Sequence, residues 1–209
     1  MIWLPLAGPA LLAVAFTLLP GLVIAWVAGL RGFAAVALAP VLSVTSISVG
    51  AILGGLLRVP WGWWIPVGVA ALMSMVVWSI RHATRRKGMD RWWTGSLRDD
   101  LPYWVGLALA IGLMARQFLA VTQRPDWFAQ RFDNLFHLSA VRYIVQTSDA
   151  SSLTLGRLTS GDVPVSFYPA AFHDGASLVL LSFPESLTVA VNAMLFALVV
   201  VVWPVSCLA

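Results

Sequence analysis

Four polar side chains in one predicted helix are the first candidates for chemistry in this sequence. They recur at i, i+3, i+4 and i+7 and are Gln130, Asp133, Asn134 and His137. Such spacing places side chains within about a 100° arc of one helix face. The other faces of the predicted helix, 126–146, are mostly apolar. The pattern therefore predicts a helix at a membrane surface whose polar stripe faces a cavity.

Asp133 and His137 lie one helical turn apart, and three kinds of interaction are open to them. They could share a proton, hold a divalent metal ion, or form a plain hydrogen bond. A metal ion normally needs at least three protein ligands, so the pair by itself does not select among these. Cys207 is the only cysteine, which excludes an internal disulfide and a cysteine metal cluster.

A second group of candidates follows about thirty residues later in the chain. Pro169 predicts the first turn of a helix, which places Tyr168 at the membrane interface and His173 one turn into the helix. This pattern fits an aromatic belt at a helix start. It also fits a functional site, because an ionisable group beside an apolar membrane helix is often functional.

Arg116 is a third candidate, in the outer third of an apolar run. A long basic side chain at this depth can extend to the lipid headgroups. The alternative is a ligand for phosphate, because the guanidinium group presents a fork of donors that matches phosphate geometry.

The composition decides what kind of protein must position these residues. Of 209 residues, 60% are hydrophobic and 11% are charged, and the mean hydropathy is +0.86. Soluble domains have roughly 45–50% apolar and about 25% charged residues. A soluble globule and a disordered chain are therefore excluded, and a polytopic membrane protein in a lipid bilayer is predicted. The net charge of +4 comes largely from one loop, so membrane topology explains it better than nucleic-acid binding does.

Six apolar runs follow one another along the chain: 3–29, 33–57, 61–80, 101–122, 169–183 and 187–208. The fifth run is short for a complete crossing, and we interpret it as a span that is tilted or sits at a thinned site, with a re-entrant hairpin as the alternative. We therefore expect an all-α fold, a polytopic transmembrane helix bundle of about six spans with a partly helical extracytoplasmic loop.

The expected organisation has three parts. Residues 1–122 form a four-span region, 123–168 form the extracytoplasmic loop with its interfacial helix, and 169–209 form two further spans at the end of an apparently truncated chain. Six basic residues within 81–100 predict a cytoplasmic loop by the positive-inside rule. This orientation places the N-terminus outside, in a multi-pass protein of the bacterial inner (plasma) membrane.

Two short motifs carry a resemblance to known families. Phe-Asp-Asn-Leu-Phe-His at 132–137, together with Tyr-Pro-Ala-Ala-Phe-His at 168–173, is similar to an uncharacterised actinobacterial multi-pass membrane protein family. An Asp in a large outer loop, followed by Tyr-Pro at the next helix start, resembles the N-terminal part of GT-C-like membrane glycosyltransferases. In that class the Asp loop follows the first span, whereas here it follows the fourth predicted span.

The GT-C resemblance implies a reaction and a set of roles. A sugar would pass from a polyprenyl-phosphate donor to a cell-envelope acceptor on the outer face, with Asp133 and His137 as the catalytic residues. Asp133 would act as general base or ligate a divalent metal ion. The implied substrate-binding residues are Arg116, Arg131, Tyr168 and His173, the two arginines meeting the lipid phosphate. A non-catalytic membrane scaffold and a transporter or flippase component of envelope assembly are the alternatives.

Overall fold

The computed structural model describes the chain as follows: residues 2–84, 97–128, 132–161, 163, 166–184 and 186–208. Every regular element within these ranges is a helix, which confirms the predicted all-α class. Three predicted features lie wholly or partly outside the described residues. They are Arg131, Gln130 and most of the basic loop, residues 85–96.

Four long helices form the first part of the bundle: α1 (Leu4–Ala28), α2 (Gly32–Leu57), α3 (Trp64–Ala83) and α4 (Leu97–Thr122). Three shorter helices follow: α5 (Phe132–Thr147), the single turn α6 (Arg157–Ser160) and α7 (Ala171–Ser182). The last stretch consists of α8 (Leu187–Phe196), a π-helical segment (Ala197–Val202) and α9 (Trp203–Cys207).

Five stretches of the described chain are long and apolar enough to cross a membrane, namely α1 to α4 and the continuous run Leu187–Cys207. They fit an integral membrane protein. The sequence predicted about six spans, and the difference lies in residues 169–183. There α7 has 12 residues, a length of about 18 Å against a hydrocarbon core of about 30 Å. This helix is too short for the tilted crossing that was one of the two predicted alternatives.

The first two helices approach closely near the middle of α1. The backbone N–H of Gly21 donates a hydrogen bond to the Ser43 hydroxyl at 2.8 Å. A methyl group on Gly21 would overlap the backbone carbonyl of Ala39. Small residues at a helix crossing let two backbones approach in this way, which is how membrane helices gain packing energy. Gly21 therefore fixes the distance between α1 and α2.

Charged side chains mark one end of the bundle. Arg81, near the end of α3, donates a hydrogen bond to the carbonyl oxygen of Val27 at 3.1 Å. Asp100, in the first turn of α4, accepts one from the backbone N–H of Phe33 at 2.9 Å. These contacts join the end of α1, the start of α2, the end of α3 and the start of α4, where the basic loop connects α3 to α4.

The opposite end of the bundle carries the shorter helices and their loops. The backbone N–H of Trp61 donates to the carbonyl of Ser148 at 2.9 Å. Asn192 of α8 donates to the carbonyls of Pro125 and Trp127 at 2.8 and 2.7 Å. The segment between α4 and α7 thus lies at the end away from the basic loop. Its assignment to the extracytoplasmic side stays a prediction.

We predict that Gly21→Ala lowers the free energy of unfolding by about 2 kcal/mol, because the added methyl group forces α1 away from α2. Thermal unfolding of the detergent-solubilised protein measures the change. Gly112→Ala is the matched control, since Gly112 is also helical but has open space around it; that variant should be unchanged or more stable. Equal stability of both variants would contradict the close approach at Gly21.

Candidate functional site

Helix α7 is buried along most of its length, although it carries two ionisable side chains. Every residue from His173 to Leu180 is buried. One face packs against an apolar cluster of α2 and α5 residues, including Ile47 and Ile144. The opposite face packs against a second cluster that includes Met194 of α8. The helix therefore holds its polar groups inside the bundle rather than at its surface.

The loop before α7 fixes where the helix begins. The backbone N–H of Tyr168 donates to the carbonyl of Ser152 at 2.8 Å, and that of Ala170 donates to the Ser152 hydroxyl at 3.3 Å. Ser152 thus satisfies two backbone donors just ahead of the first turn. Pro169 lies between them, where a residue without a backbone N–H costs no hydrogen bond.

The centre of the candidate site is a pair of histidines. Nδ1 of His137, on α5, lies 2.9 Å from Nε2 of His173, on α7. One of these two nitrogens must carry the proton for a hydrogen bond to form. His173 is 2% exposed, and burial together with the neighbouring His137 lowers its pKa to about 4, against a weaker opposing effect of the Ala170 backbone. At neutral pH the buried imidazole is therefore uncharged.

Three aromatic rings surround the histidine pair. Phe172 lies 5.9 Å from His137, and Tyr168 lies 5.7 Å from His173, between ring centroids. Phe136 packs on Tyr168 at 4.6 Å. These rings hold the imidazoles in an apolar setting, in which a hydrogen bond is electrostatically stronger than it is in water.

A pocket of about 540 Å³ opens beside the pair. The residues that line it are Asn134, His137, Tyr168, Pro169, Phe172, His173, Val191 and Leu195. Val191 and Leu195 belong to the run Leu187–Cys207, which is long enough to cross a membrane. The pocket therefore combines a few polar groups with an apolar wall formed by a candidate membrane span.

The structure brings together some of the residues predicted from the sequence and separates others. His137, Tyr168 and His173 all line the pocket. Asp133 is exposed, one turn before His137 on α5, and does not line it. Arg131 lies outside the described residues.

Arg116 is also distant from the pocket wall. It is exposed on α4 and does not line the pocket. Phe118, two residues later, makes an edge contact with Phe196 at 5.3 Å. Because two residues correspond to about 200° of helix rotation, Arg116 lies on the opposite face of α4 from this contact.

Three residues line the pocket without having been predicted as site residues: Phe172, Val191 and Leu195. Phe172 lies within the motif at 168–173, between the predicted site residues Tyr168 and His173, so the motif itself could have indicated it. Val191 and Leu195 are ordinary apolar residues of a predicted span, and nothing in their pattern distinguishes a pocket wall from a lipid-facing surface.

The pocket offers few side chains that could hold a metal ion. No group of three or more His, Cys, Asp or Glu residues close enough to bind one occurs in the described ranges. The pocket presents two imidazoles, and these already contact each other. Both imidazoles can donate and accept hydrogen bonds.

We predict that His137→Ala lowers the free energy of unfolding by about 1–3 kcal/mol, because it leaves the buried Nε2 of His173 without a partner. Thermal unfolding in detergent measures the loss. His82→Ala is the control, since His82 is exposed and stacks on Trp78; its effect should stay within about 0.5 kcal/mol. A His137→Ala variant as stable as the control would mean that the histidines do not form the hydrogen bond.

Comparison with known proteins gives a family but no activity. Residues 14–209 match a family described as "Family of unknown function (DUF6541)". No curated protein matches the chain, and no solved structure does. The match agrees with the predicted resemblance to an uncharacterised family. No named relative supports the GT-C-like part of that resemblance.

Proposed function

Since the chain belongs to DUF6541, a family of unknown function, we propose its activity from its own pocket. The proposed reaction transfers a sugar from a polyprenyl-phosphate donor to a hydroxyl of a cell-envelope acceptor, on the outer face of the membrane. The observation that carries it is the hydrogen-bonded pair of His137 and His173 in a pocket walled by a candidate membrane span.

The two kinds of pocket wall suit the two parts of such a donor. Phe172, Val191 and Leu195 present apolar surface to the first isoprene units. Asn134 and His137 provide polar groups for the phosphate and the sugar. A donor lipid could enter along the run Leu187–Cys207, because this stretch is both a pocket wall and a candidate span.

In the proposed reaction, the acceptor oxygen attacks the anomeric carbon while the bond from that carbon to the phosphate oxygen breaks. Polyprenyl phosphate leaves with the bonding electrons. His137 accepts the proton of the acceptor hydroxyl, as a general base in contact with the pocket. His173 positions His137 through their hydrogen bond. Asp133 lies one turn away on the same helix and contributes a negative charge there.

The exposed position of Asp133 changes the role that the resemblance implied for it. A carboxylate outside the pocket wall is poorly placed to take a proton from a bound acceptor, whereas His137 lines the wall. We therefore propose His137 as the base and Asp133 as its electrostatic partner. Arg116 does not line the pocket, so the phosphate role that the resemblance implied for it is not part of this proposal, and Arg131 stays a candidate on charge alone.

The test uses the full chain in lipid nanodiscs with a polyprenyl-phosphate donor that carries a radiolabelled sugar. Released sugar measures transfer to water, and labelled glycan measures transfer to an added oligosaccharide acceptor. We expect His137→Asn to lower the rate by about 10²–10⁴-fold, the usual range for losing a general base. Asp133→Asn should lower it less, and His82→Asn should leave it unchanged.

Two results would contradict the proposal. A folded wild-type protein that releases no sugar from any polyprenyl-phosphate donor would favour the non-catalytic scaffold or the flippase component. A His137→Asn variant that is as active as the wild-type protein would show that His137 is not the base and that the reaction does not take place in this pocket. Thermal unfolding of each variant verifies that a lost activity is not a lost fold.

A further inference from the structure

In the described part of the chain, all buried side-chain nitrogen and oxygen atoms that lack a hydrogen-bond partner belong to two consecutive residues. They are Nδ1 of His173 and both carboxyl oxygens of Asp174. Asp174 is 0% exposed. A buried carboxylate that accepts no hydrogen bond costs far more free energy than one lost hydrogen bond. The Asp174 carboxyl therefore needs a positively charged occupant or a proton.

The surroundings of Asp174 are rich in oxygen. The backbone N–H of Asp174 donates to the carbonyl of Ala170, whose own N–H donates to the hydroxyl of Ser152. One turn later on α7, the Ser177 hydroxyl accepts a hydrogen bond from Nε1 of Trp61 at 2.9 Å. Ser151, Ser152 and Ser177 are all buried. The Ser177 hydroxyl also donates to the backbone carbonyl of Asp174 at 2.7 Å. The backbone of Asp174 thus contacts oxygens of Ala170 and Ser177, whereas its carboxyl contacts no hydrogen-bonding group of the described chain.

A second carboxylate, that of Asp149, lies on the same loop as Ser151 and Ser152. Asp149 accepts hydrogen bonds from the backbone N–H of Ser151 at 2.9 Å and from the Thr154 hydroxyl at 2.8 Å. These two donors fix the orientation of the Asp149 side chain. Its charge is near enough to raise the pKa of Asp174, although burial is the larger cause of that increase.

The C-terminal end of α2 adds negative potential beside the loop that carries Asp149. A methyl group on Gly55 would contact both Asp149 and Ser151, so the last turn of α2 packs directly on the loop. The C-terminal carbonyls of a helix carry a partial negative charge. Arg58 follows this turn but is exposed, and neither Asp149 nor Asp174 has an ion-pair partner in the described part of the chain.

We propose that Asp174 and Asp149, with the hydroxyl and carbonyl oxygens around them, bind a hard metal cation such as Na⁺ or Ca²⁺. Oxygen ligands are those that such cations prefer. Two carboxylates balance the charge of one divalent ion. The set has two acidic residues and no histidine ligand, so it differs from the pocket of the histidine pair and does not depend on the transferase proposal.

The cation has a structural consequence for the neighbouring pocket. It joins the loop at 149–152 to the first turns of α7, and it replaces the missing hydrogen bonds of Asp174. Because His173 is the residue before Asp174, the bound cation also holds the histidine pair in place. Loss of the cation should therefore loosen the start of α7 first.

The experiment measures thermal unfolding of the full chain in detergent at pH 7, after removal of metal ions with a chelator. The protein is compared in choline chloride, NaCl, CaCl₂ and MgCl₂ at equal ionic strength. We expect one of the metal salts to raise Tm by about 3–6 °C at roughly ten times its Kd. Isothermal titration calorimetry with that salt measures the stoichiometry, which should be one ion per chain.

The variants identify the site. Asp174→Asn should abolish the cation-dependent rise in Tm, whereas Asp126→Asn should retain it, because Asp126 is exposed and paired with Arg124. Equal Tm of the wild-type protein in all four salts would overturn the proposal, whether or not Asp174→Asn folds. A greater stability of Asp174→Asn in every salt would assign a proton, not a metal ion, to this carboxyl.

Discussion

The burial of α7 is the constraint on which the rest of the structure depends. This helix is too short to cross a membrane, yet its residues from His173 to Leu180 are buried among α1, α2, α5 and α8. Taking an imidazole and a carboxyl out of water is costly unless each finds a partner. The elements around α7 supply such a partner to the imidazole of His173 and apolar contact to the rest of the helix, whereas the Asp174 carboxyl has no hydrogen-bond partner among the described residues.

Each neighbour of α7 meets part of that requirement. Helix α5 supplies His137 to the imidazole of His173. The loop before α7 supplies Ser152 to the backbone at the helix start. Trp61, between α2 and α3, supplies its indole N–H to Ser177. The pocket lies within this arrangement, because the rings of Tyr168 and Phe172 line it together with Val191 and Leu195 of α8.

The sequence predicted the elements well because hydropathy alone determines which segments can lie in lipid. Its six apolar runs coincide with five long helical stretches and α7. For residues 169–183 the sequence does not distinguish a membrane crossing from burial inside the bundle, because an apolar run of that length is compatible with both. The predicted helix 126–146 appears as Phe132–Thr147, a shift at its start where Arg131 and Gln130 lie outside the described residues.

The candidate site could be predicted only in part. His137 and His173 were predicted as site residues because ionisable groups in an apolar chain are conspicuous. Their contact with each other was not predicted, since 36 positions separate them. The helical spacing predicted that Asp133 and His137 face the same cavity. In the structure Asp133 is exposed, whereas His137 lines the pocket. The burial of Asp174 could not be predicted from the sequence, because it depends on contacts from other helices.

The most direct test of the account is whether the pocket beside the histidine pair binds a polyprenyl phosphate. Native mass spectrometry of the detergent-solubilised protein measures the bound fraction. The account predicts that the wild-type protein and Leu113→Trp, an exposed position on α4, bind it equally, whereas Leu195→Trp, which fills the pocket, binds at least about tenfold less. Equal binding by all three proteins, or by none of them, would contradict the assignment of this pocket as the functional site.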